Sequence, residues 1–404
     1  MQPTLKRQHD FITTSLMMFF YSALVSLTVY IDSSFITKQL STATLPFGIN
    51  FLDNPESGVG WVYACSAIIT LLGLTFAPRL LKLFGLYRIM FVSLVLNFFA
   101  FLGLAGFASP TLALACFLIS GGMTSIIFFY FDILMESLSS ETTTGFVRGI
   151  MMTVSSVAWM LPPLISGSLM ERAEYSTIYF SAAILIIPVI GLLTAYLHGY
   201  PDKVYQTESF RHVASELKSS PDLWHILAIS YFLQIFYLWM VIYTPLYLHE
   251  TLGITGTQFG LIMTIALSAF VIFPYPAGQL ADKKYGEKEM LVGGFLLMVL
   301  STISIPFIQS ASLALWALVL FTGRTGASIV ETMADTYFFK KVDRDNASMV
   351  GTYRRMRPLA MLTAPLGSAF LLLIPGFTIS TLFLVLAILL LIPIVLVSLL
   401  HDTK

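Results

Sequence analysis

The sequence predicts an all-α integral membrane protein with twelve transmembrane helices arranged as two pseudo-symmetric six-helix bundles. Of its 404 residues, 57% are hydrophobic and only 11% are charged, whereas a soluble domain carries roughly 25% charged residues. The apolar residues come in blocks of roughly twenty, the helix length that crosses about 30 Å of hydrocarbon. Each block is expected to be helical, because lipid offers no hydrogen-bond partner to exposed backbone groups.

Twelve apolar blocks follow one another along the chain. In order, the predicted spans are 11–36, 58–77, 88–107, 110–136, 149–169, 177–198, 223–248, 256–278, 289–309, 312–336, 350–374 and 378–400. The longest polar interruption divides these spans six and six. We therefore expect an N-terminal half over 1–198, a cytoplasmic central loop over 199–222 and a C-terminal half over 223–404.

Lysine and arginine are distributed unevenly between alternate loops. With the N-terminus inside, the inner segments collect most of these cations, whereas the outer loops hold only Lys38 and Arg172. Cytoplasmic loops of membrane proteins are enriched in lysine and arginine. The distribution predicts a multi-pass protein of the plasma membrane with both termini on the cytoplasmic side. The formal net charge is zero, which gives no indication of a nucleic-acid partner.

Spans four and five share a pattern with spans ten and eleven. In each pair, two carboxylates four residues apart lie at the inner end of the first span: Asp132 and Glu136 in one half, Glu331 and Asp335 in the other. A short polar loop, a basic start to the next span and a proline with a nearby glycine follow in both halves. The shared order indicates an internal duplication, the architecture of many carriers.

The loop between spans eight and nine, 278–288, reads GQLADKKYGEK. It resembles the G-x-L-x-D-R/K-x-G-R/K loop of the major facilitator superfamily, with one extra residue. The matching positions are Gly278, Asp282, Lys283, Gly286 and Lys288. The equivalent loop between spans two and three, 77–88, has Lys82 where the acid is expected. Glu136 followed by Arg148 is similar to the acid-then-RG pattern after span four of sugar-porter relatives.

The resemblance covers the whole chain and implies a monomeric secondary transporter that moves a small molecule by alternating access. It also implies a gating role for the loop: in the family the loop acid approaches a helix start in the opposite half, so we expect Asp282 to pair near Arg148. A drug:proton antiporter is not favoured, because 117–131 contains no arginine and the span-five signature of that group survives only as LPPLISG, 161–167.

Charges within the bilayer are costly, so an ionisable residue in a span is a candidate for function. Arg324 lies eleven residues into span ten, close to the midplane, and Glu331 and Asp335 follow on the same stripe of the helix. This arrangement can bind an anionic or hydroxyl-rich solute, or hold a proton-accepting carboxylate in a switchable pair. The alternative is a static ion pair that fastens span ten to its neighbours.

The remaining charged candidates lie near the ends of spans. Asp132, Glu136 and Arg148 are interpreted as an inner-face ion cluster that rearranges during gating, with proton carriage as the alternative. Asp32, near Lys38, is interpreted as part of a solvated outer rim, with an outer gate or proton entry as the alternative.

Uncharged side chains within the spans are candidates for a cavity lining. They are Tyr21, Tyr30, Asn97, Trp159, Gln234, Tyr237, Tyr243 and Ser328. Aromatic residues in spans are also common in the helix core and at the membrane interface, so packing is the competing interpretation for each.

Three classes of function are compatible with such a chain. A secondary carrier driven by a proton gradient suits the carboxylates within the membrane, and its partners are a small-molecule substrate, protons and the lipid bilayer. ATP-driven pumping lacks a phosphate-binding loop, and a membrane-embedded enzyme lacks a metal motif or a histidine cluster. We therefore expect neither a catalytic nor a metal site, nor a cofactor. A transport-inactive sensor or assembly protein on the same fold is the third class.

Overall fold

The computed structural model describes residues 3–42, 55–106, 109–138, 153–172, 174–196, 220–342 and 347–401. All of the regular secondary structure in this part of the chain is helical, which confirms the predicted fold class. The first half contains α1 (Pro3–Val29), α2 (Asp32–Leu40), α3 (Pro55–Phe84), α4 (Leu86–Gly106), α5 (Pro110–Leu138), α6 (153–160), α7 (Pro162–Arg172) and α8 (Tyr175–Tyr196). The second contains α9 (Pro221–Leu246), α10 (Gly256–Leu267), α11 (Ala269–Ile272), α12 (Pro274–Leu280), α13 (Glu287–Ser304), α14 (Leu313–Lys341), α15 (Ala347–Leu372), α16 (Ile379–Leu389) and α17 (Leu391–Ser398).

Ten helical segments among the described residues are long and apolar enough to cross a membrane. The two other predicted spans are also helical but differ from these in sequence. The fifth is divided at Leu161, between α6 and α7. The eleventh, α15, contains Arg354, Arg355 and Arg357 in its first half, and these lower its hydropathy. Together they give the twelve-helix topology.

Four of the predicted spans contain a break in the helix: the fifth at Leu161, the twelfth at Leu390, and the first and the eighth, whose breaks were not predicted. The first span ends at Val29 rather than near residue 36, and Asp32 opens the separate helix α2, where an acidic residue suits the positive end of the helix. The eighth span is divided at Ser268 and Phe273, and Pro274 begins α12. Proline has no N–H to donate to the preceding turn, which accounts for the break at Phe273.

The chain divides into two compact units. One comprises Met1–Gln206 with Thr255–Gly260, and the other comprises Thr207–Ile254 with Leu261–Lys404. Within the first unit, α4 packs on α5 and α8, and α3 packs on α5. Within the second, α13 packs on α14 and on α16 and α17, while α11 and α12 pack on α14. The third span of each unit thus contacts the fourth and sixth, as a duplicated architecture requires.

The two related loops between spans each contain a glycine with a positive φ. Gly85 and Gly286 have φ angles of 78° and 95°, a region that residues with a Cβ adopt only under strain. Each glycine N–H closes the preceding helix, to the carbonyl of Leu81 in one loop and of Ala281 in the other, at 2.9 Å in both. These glycines therefore set the short connection into α4 and α13.

The segment Thr255–Gly260 is held inside the first unit by Glu171 at the end of α7. The Thr257 N–H donates to Glu171 Oε1 at 2.8 Å, and the Thr257 hydroxyl donates to Oε2 at 2.7 Å. A carboxylate in this position caps the exposed N–H groups at the start of α10 and complements its dipole.

Candidate functional site

Hydrogen bonds join the first span to the fifth in both units. In the first unit, the Ser26 hydroxyl donates to the carbonyl of Trp159 at 2.6 Å, and the hydroxyls of Ser22 and Ser155 are 3.2 Å apart. In the second unit, the Tyr243 hydroxyl donates to Ser368 at 2.7 Å, within the fully buried face of α9. Tyr243 therefore lies in the contact between two helices.

Two other predicted lining residues of the first unit are paired with each other. The Asn97 side-chain N–H donates to the Tyr21 hydroxyl at 2.7 Å, and both side chains are completely buried. Tyr30 is also buried and meets the ring of Phe259 edge-on, with the centroids 6.3 Å apart. Tyr21, Asn97 and Tyr30 therefore take part in packing between helices.

Asp32 is half-buried rather than part of a solvated rim. Its Oδ1 accepts a hydrogen bond of 2.8 Å from the Tyr179 hydroxyl of α8. The ring of Phe35 packs against Tyr179 at 4.9 Å. Lys38 is exposed, with its Nζ 5.5 Å from the centre of the Tyr175 ring.

Most of the predicted inner-face cluster lies outside the described part of the chain. Asp132 is half-buried and makes polar contacts, whereas the Glu136 side chain and Arg148 are outside the described residues. The expected approach of Asp282 to Arg148 therefore stays a prediction.

The loop that resembles the family motif contains exposed residues and one lysine that forms hydrogen bonds. Asp282 and Lys283 are exposed, as is Lys82 in the equivalent loop. Gly278, at the end of α12, is half-buried. Lys288 donates from Nζ to the carbonyls of Ser398 and Leu400 at 2.9 Å each. A lysine in this position caps the carboxyl end of α17, where the helix dipole favours a cation.

Arg324 lies in the middle of α14 and is only 4% exposed. Its guanidinium carbon is 5.9 Å from the ring centres of both Phe236 and Tyr237 on α9. Among the described residues, no hydrogen bond or ion pair reaches the guanidinium group. The aromatic contacts stabilise the charge, but they leave its N–H donors unused.

The two acidic residues that follow Arg324 along α14 each accept a hydrogen bond from a tyrosine. The Tyr237 hydroxyl donates to Glu331 Oε2 at 3.0 Å, and the Tyr353 hydroxyl of α15 donates to Asp335 Oδ1 at 2.7 Å. Tyr353 stacks on Phe338 with the ring centres 4.3 Å apart. The structure thus brings α9, α14 and α15 together around one charged stripe.

Ser328 and Gln234 complete the predicted residues of this region. Ser328 is 1% exposed, and its hydroxyl has no hydrogen-bond partner among the described residues. It lies one helical turn from Arg324, on the same face of α14. Gln234, on α9, is half-buried.

Sequence reasoning missed several residues of this unit. Phe236 and Tyr353 were indistinguishable from other aromatics in apolar spans, because no local spacing marks their partners. Asp222 is buried between Lys341 Nζ at 3.0 Å and His401 Nδ1 at 2.9 Å. The only signal for this cluster was the position of the three residues at predicted inner ends of spans.

The first unit also contains an apolar groove of about 460 Å³ between α1, α6, α7 and α8. Its walls include Phe19, Leu27, Leu161 and Ile184, and almost none of the lining surface is polar. Ser181 is the one polar side chain among the described lining residues, and its hydroxyl already donates to the carbonyl of Thr177 at 2.8 Å, so the groove has little to orient a polar solute.

Comparisons with known proteins agree with this architecture. The sequence profile of the Major Facilitator Superfamily matches residues 11–356 and 242–404. A mutant of the nucleoside transporter NupG gives a TM-score of 0.74 at 13% identity, over 97% of this chain and 100% of that chain. Another crystal structure of NupG gives a TM-score of 0.71 at 13% identity, over 98% and 100% of the two chains. No curated protein sequence matches the chain.

The family profile spans most of the sequence, and the structural likeness covers nearly all of the fold. At 13% identity the likeness to NupG shows the fold alone. The chain therefore belongs to the Major Facilitator Superfamily and is a multi-pass membrane transporter of small molecules, not an enzyme.

Proposed function

We propose that the protein is a secondary active transporter that couples the movement of a small polar solute to protons by alternating access. It acts as a monomer in the plasma membrane, with both termini in the cytoplasm. The observation that carries the proposal is the carboxyl group of Glu331, held by the Tyr237 hydroxyl within a membrane-spanning helix.

Glu331 has the surroundings of a proton carrier. It lies within a transmembrane helix, where a carboxylate is costly unless a partner compensates its charge. Asp335 and Arg357 act on it electrostatically with opposite signs. A small displacement of either neighbour changes the balance between the charged and the neutral carboxyl group. Such sensitivity links proton uptake to a conformational change.

The polar stripe of α14 supports a polar rather than a lipid-like solute. It presents Arg324, Ser328 and Glu331 on one face of the helix. NupG is a nucleoside transporter, so nucleosides belong in the first set of solutes to be tested.

Transport in proteoliposomes tests the proposal. Purified protein is first screened against solutes by thermal stability, and a stabilising solute is then followed under an imposed pH gradient. We expect the gradient to drive solute flux in the wild type. Glu331→Gln should abolish that drive and preserve solute exchange, because glutamine keeps the shape of glutamate but cannot release a proton.

Asp335→Asn is the matched comparison, since Asp335 lies one turn further along α14 and also accepts a tyrosine hydrogen bond. We expect it to reduce coupling less than Glu331→Gln does. Coupling that persists unchanged in Glu331→Gln would contradict the assignment of the proton site. If Asp32→Asn abolished coupling instead, the proton site would be assigned to Asp32 in the first unit.

A transport-inactive sensor on the same fold is the second candidate. It would bind the stabilising solute but show neither flux nor counterflow in proteoliposomes. Counterflow of labelled solute therefore separates the two functions without depending on the coupling ion.

A further inference from the structure

We propose that Arg324 and Ser328 form a carboxylate-binding site inside the second unit, and that the transported solute carries one carboxylate group. This inference rests on the proposed transport function and narrows its substrate class. It starts from two buried residues on one face of α14, Arg324 and Ser328, whose polar groups have no polar partner among the described residues.

The first group is the guanidinium of Arg324. A buried charge without a counter-ion is unfavourable, and the cost falls when an anion binds. The rings of Phe236 and Tyr237 compensate part of this charge, but a ring face accepts no strong hydrogen bond from the N–H edges. The guanidinium therefore offers a planar fork of donors, which matches the two oxygens of a carboxylate.

The acidic residues of α14 do not supply that carboxylate. Glu331 lies seven residues beyond Arg324, or about 10 Å along the helix axis, and accepts from Tyr237. Asp335 lies a further turn away and accepts from Tyr353. Neither forms an ion pair with Arg324. Arg324 therefore has no ionic partner among the described residues.

The second group is the hydroxyl of Ser328. It lies four residues from Arg324, so both side chains project from the same face of α14. Its oxygen is buried and makes no hydrogen bond within the described part of the chain, although buried hydroxyls are normally paired. A carboxylate held by Arg324 can accept from this hydroxyl as well, which would satisfy both groups with one ligand.

The two acidic residues of α14 favour a singly charged ligand. Glu331 and Asp335 continue the same stripe of α14. A phosphate carries about two negative charges near neutral pH and would be repelled more strongly by these two acidic residues. A carboxylate brings one charge and the geometry of the fork, so the site selects carboxylates over phosphates.

Matched pairs of anionic and neutral compounds test the site. The full-length purified protein is titrated with benzoate against benzamide and with glucuronate against glucose, and binding is read from thermal stability and calorimetry. We expect at least one carboxylate to bind at millimolar concentration and its neutral counterpart to bind at least about tenfold more weakly, the effect of losing hydrogen bonds to a charged group.

Variants locate the effect. Arg324→Gln should remove the preference for the carboxylate over its neutral counterpart. Arg324→Lys keeps the charge but loses the paired hydrogen bonds, so it should retain only part of that preference. Ser328→Ala leaves the charge and folding intact and should weaken carboxylate binding several-fold. Lys341→Gln removes a cation outside the site, in the pair with Asp222, and should leave the preference unchanged.

The outcomes separate this inference from the transport proposal. Failure of both carboxylates to bind the wild type, or equal preference in wild type and Arg324→Gln, would overturn the carboxylate site. If a neutral solute is then carried by a pH gradient that depends on Glu331, the transporter proposal stands without it. Carboxylate binding that depends on Arg324, in a protein without flux, supports the site and contradicts transport.

Discussion

The two units contain the same kind of contact in different places. In the first, Tyr179 donates to Asp32 at 2.8 Å, and in the second, Tyr237 donates to Glu331 at 3.0 Å. Asp32 begins a short helix after the first span has ended, whereas Glu331 lies inside the continuous 29-residue helix α14. A carboxylate at a helix start is stabilised by the exposed N–H groups, and one within a span lacks that support. The second carboxylate therefore depends more on its tyrosine.

The buried cation of α14 has no counterpart in the corresponding span of the first unit. The fourth span contains only uncharged residues over 117–131, and the neighbouring polar contact is the neutral pair of Asn97 and Tyr21. Yet both units share the packing of the third span on the fourth and the glycine turn before it. The duplication has preserved packing, and the candidate transport chemistry lies in the second unit.

The largest expected effect comes from removing the Tyr237 hydroxyl in the second unit. Removing the Tyr21 hydroxyl in the first unit is the comparison. Tyr237→Phe removes the donor to Glu331, a bond to an ionisable group worth about 1.5–3 kcal/mol. We expect pH-driven flux to fall about tenfold or more, measured in proteoliposomes. Tyr21→Phe removes the acceptor of Asn97 and should cost about 1 kcal/mol of stability, with coupling preserved. Equal losses of coupling in the two variants would break the comparison between the units.

Replacing a glycine between packed helices by alanine should lower the stability of the protein more at Gly326, in the second unit, than at Gly121, in the first. A Cβ at Gly326 would collide with the carbonyl oxygen of Gly294 on α13, whereas one at Gly121 would meet the Ser66 hydroxyl, which can rotate. Backbone cannot move aside as a side chain can, so Gly326→Ala should cost about 1–3 kcal/mol.

Thermal unfolding in detergent measures the difference between these glycine variants. Gly293→Ala is the matched control, because a Cβ there meets no atom of the described residues within 4 Å. It should leave the unfolding temperature unchanged or raise it, since alanine favours a helix over glycine. A Gly121→Ala protein less stable than Gly326→Ala would contradict the expected order.

The smallest effect concerns the two loops that share a glycine turn. Asp282 occupies one and Lys82 the other, and both side chains are exposed. We expect Asp282→Asn to remove a gate contact of about 1 kcal/mol and to shift the population toward inward-open several-fold. Lys82→Ala should shift it far less. Distances between spin labels on the inner surface measure both populations, and equal shifts would show that the acid has no special role.

The sequence predicted the helices well where hydropathy and length determined them. Gly286 in the loop motif was identified from its pattern, and its positive φ gives the physical reason for glycine there. The break after Val29 was missed, because the apolar block continues past it and no proline or glycine marks the turn.

The candidate site was only partly predictable. Arg324 and Glu331 stood out because a charge within a span has few structural explanations. Tyr353 and Ser368 did not, because their contacts join residues distant in the chain, and only tertiary packing selects one tyrosine or serine among many. Tyr243 was a cavity candidate, and its hydroxyl instead joins α9 to α15.

The end of the described chain sets a limit for protein engineering. His401 bonds to Asp222 through both its ring and its backbone N–H, and its carbonyl accepts from Tyr337. A truncation that removes His401 would leave the buried Asp222 carboxylate with Lys341 as its only described ionic partner. Fluorescent or affinity tags are therefore best joined after residue 401, so that the last helix keeps the contacts that fasten it to α9 and α14.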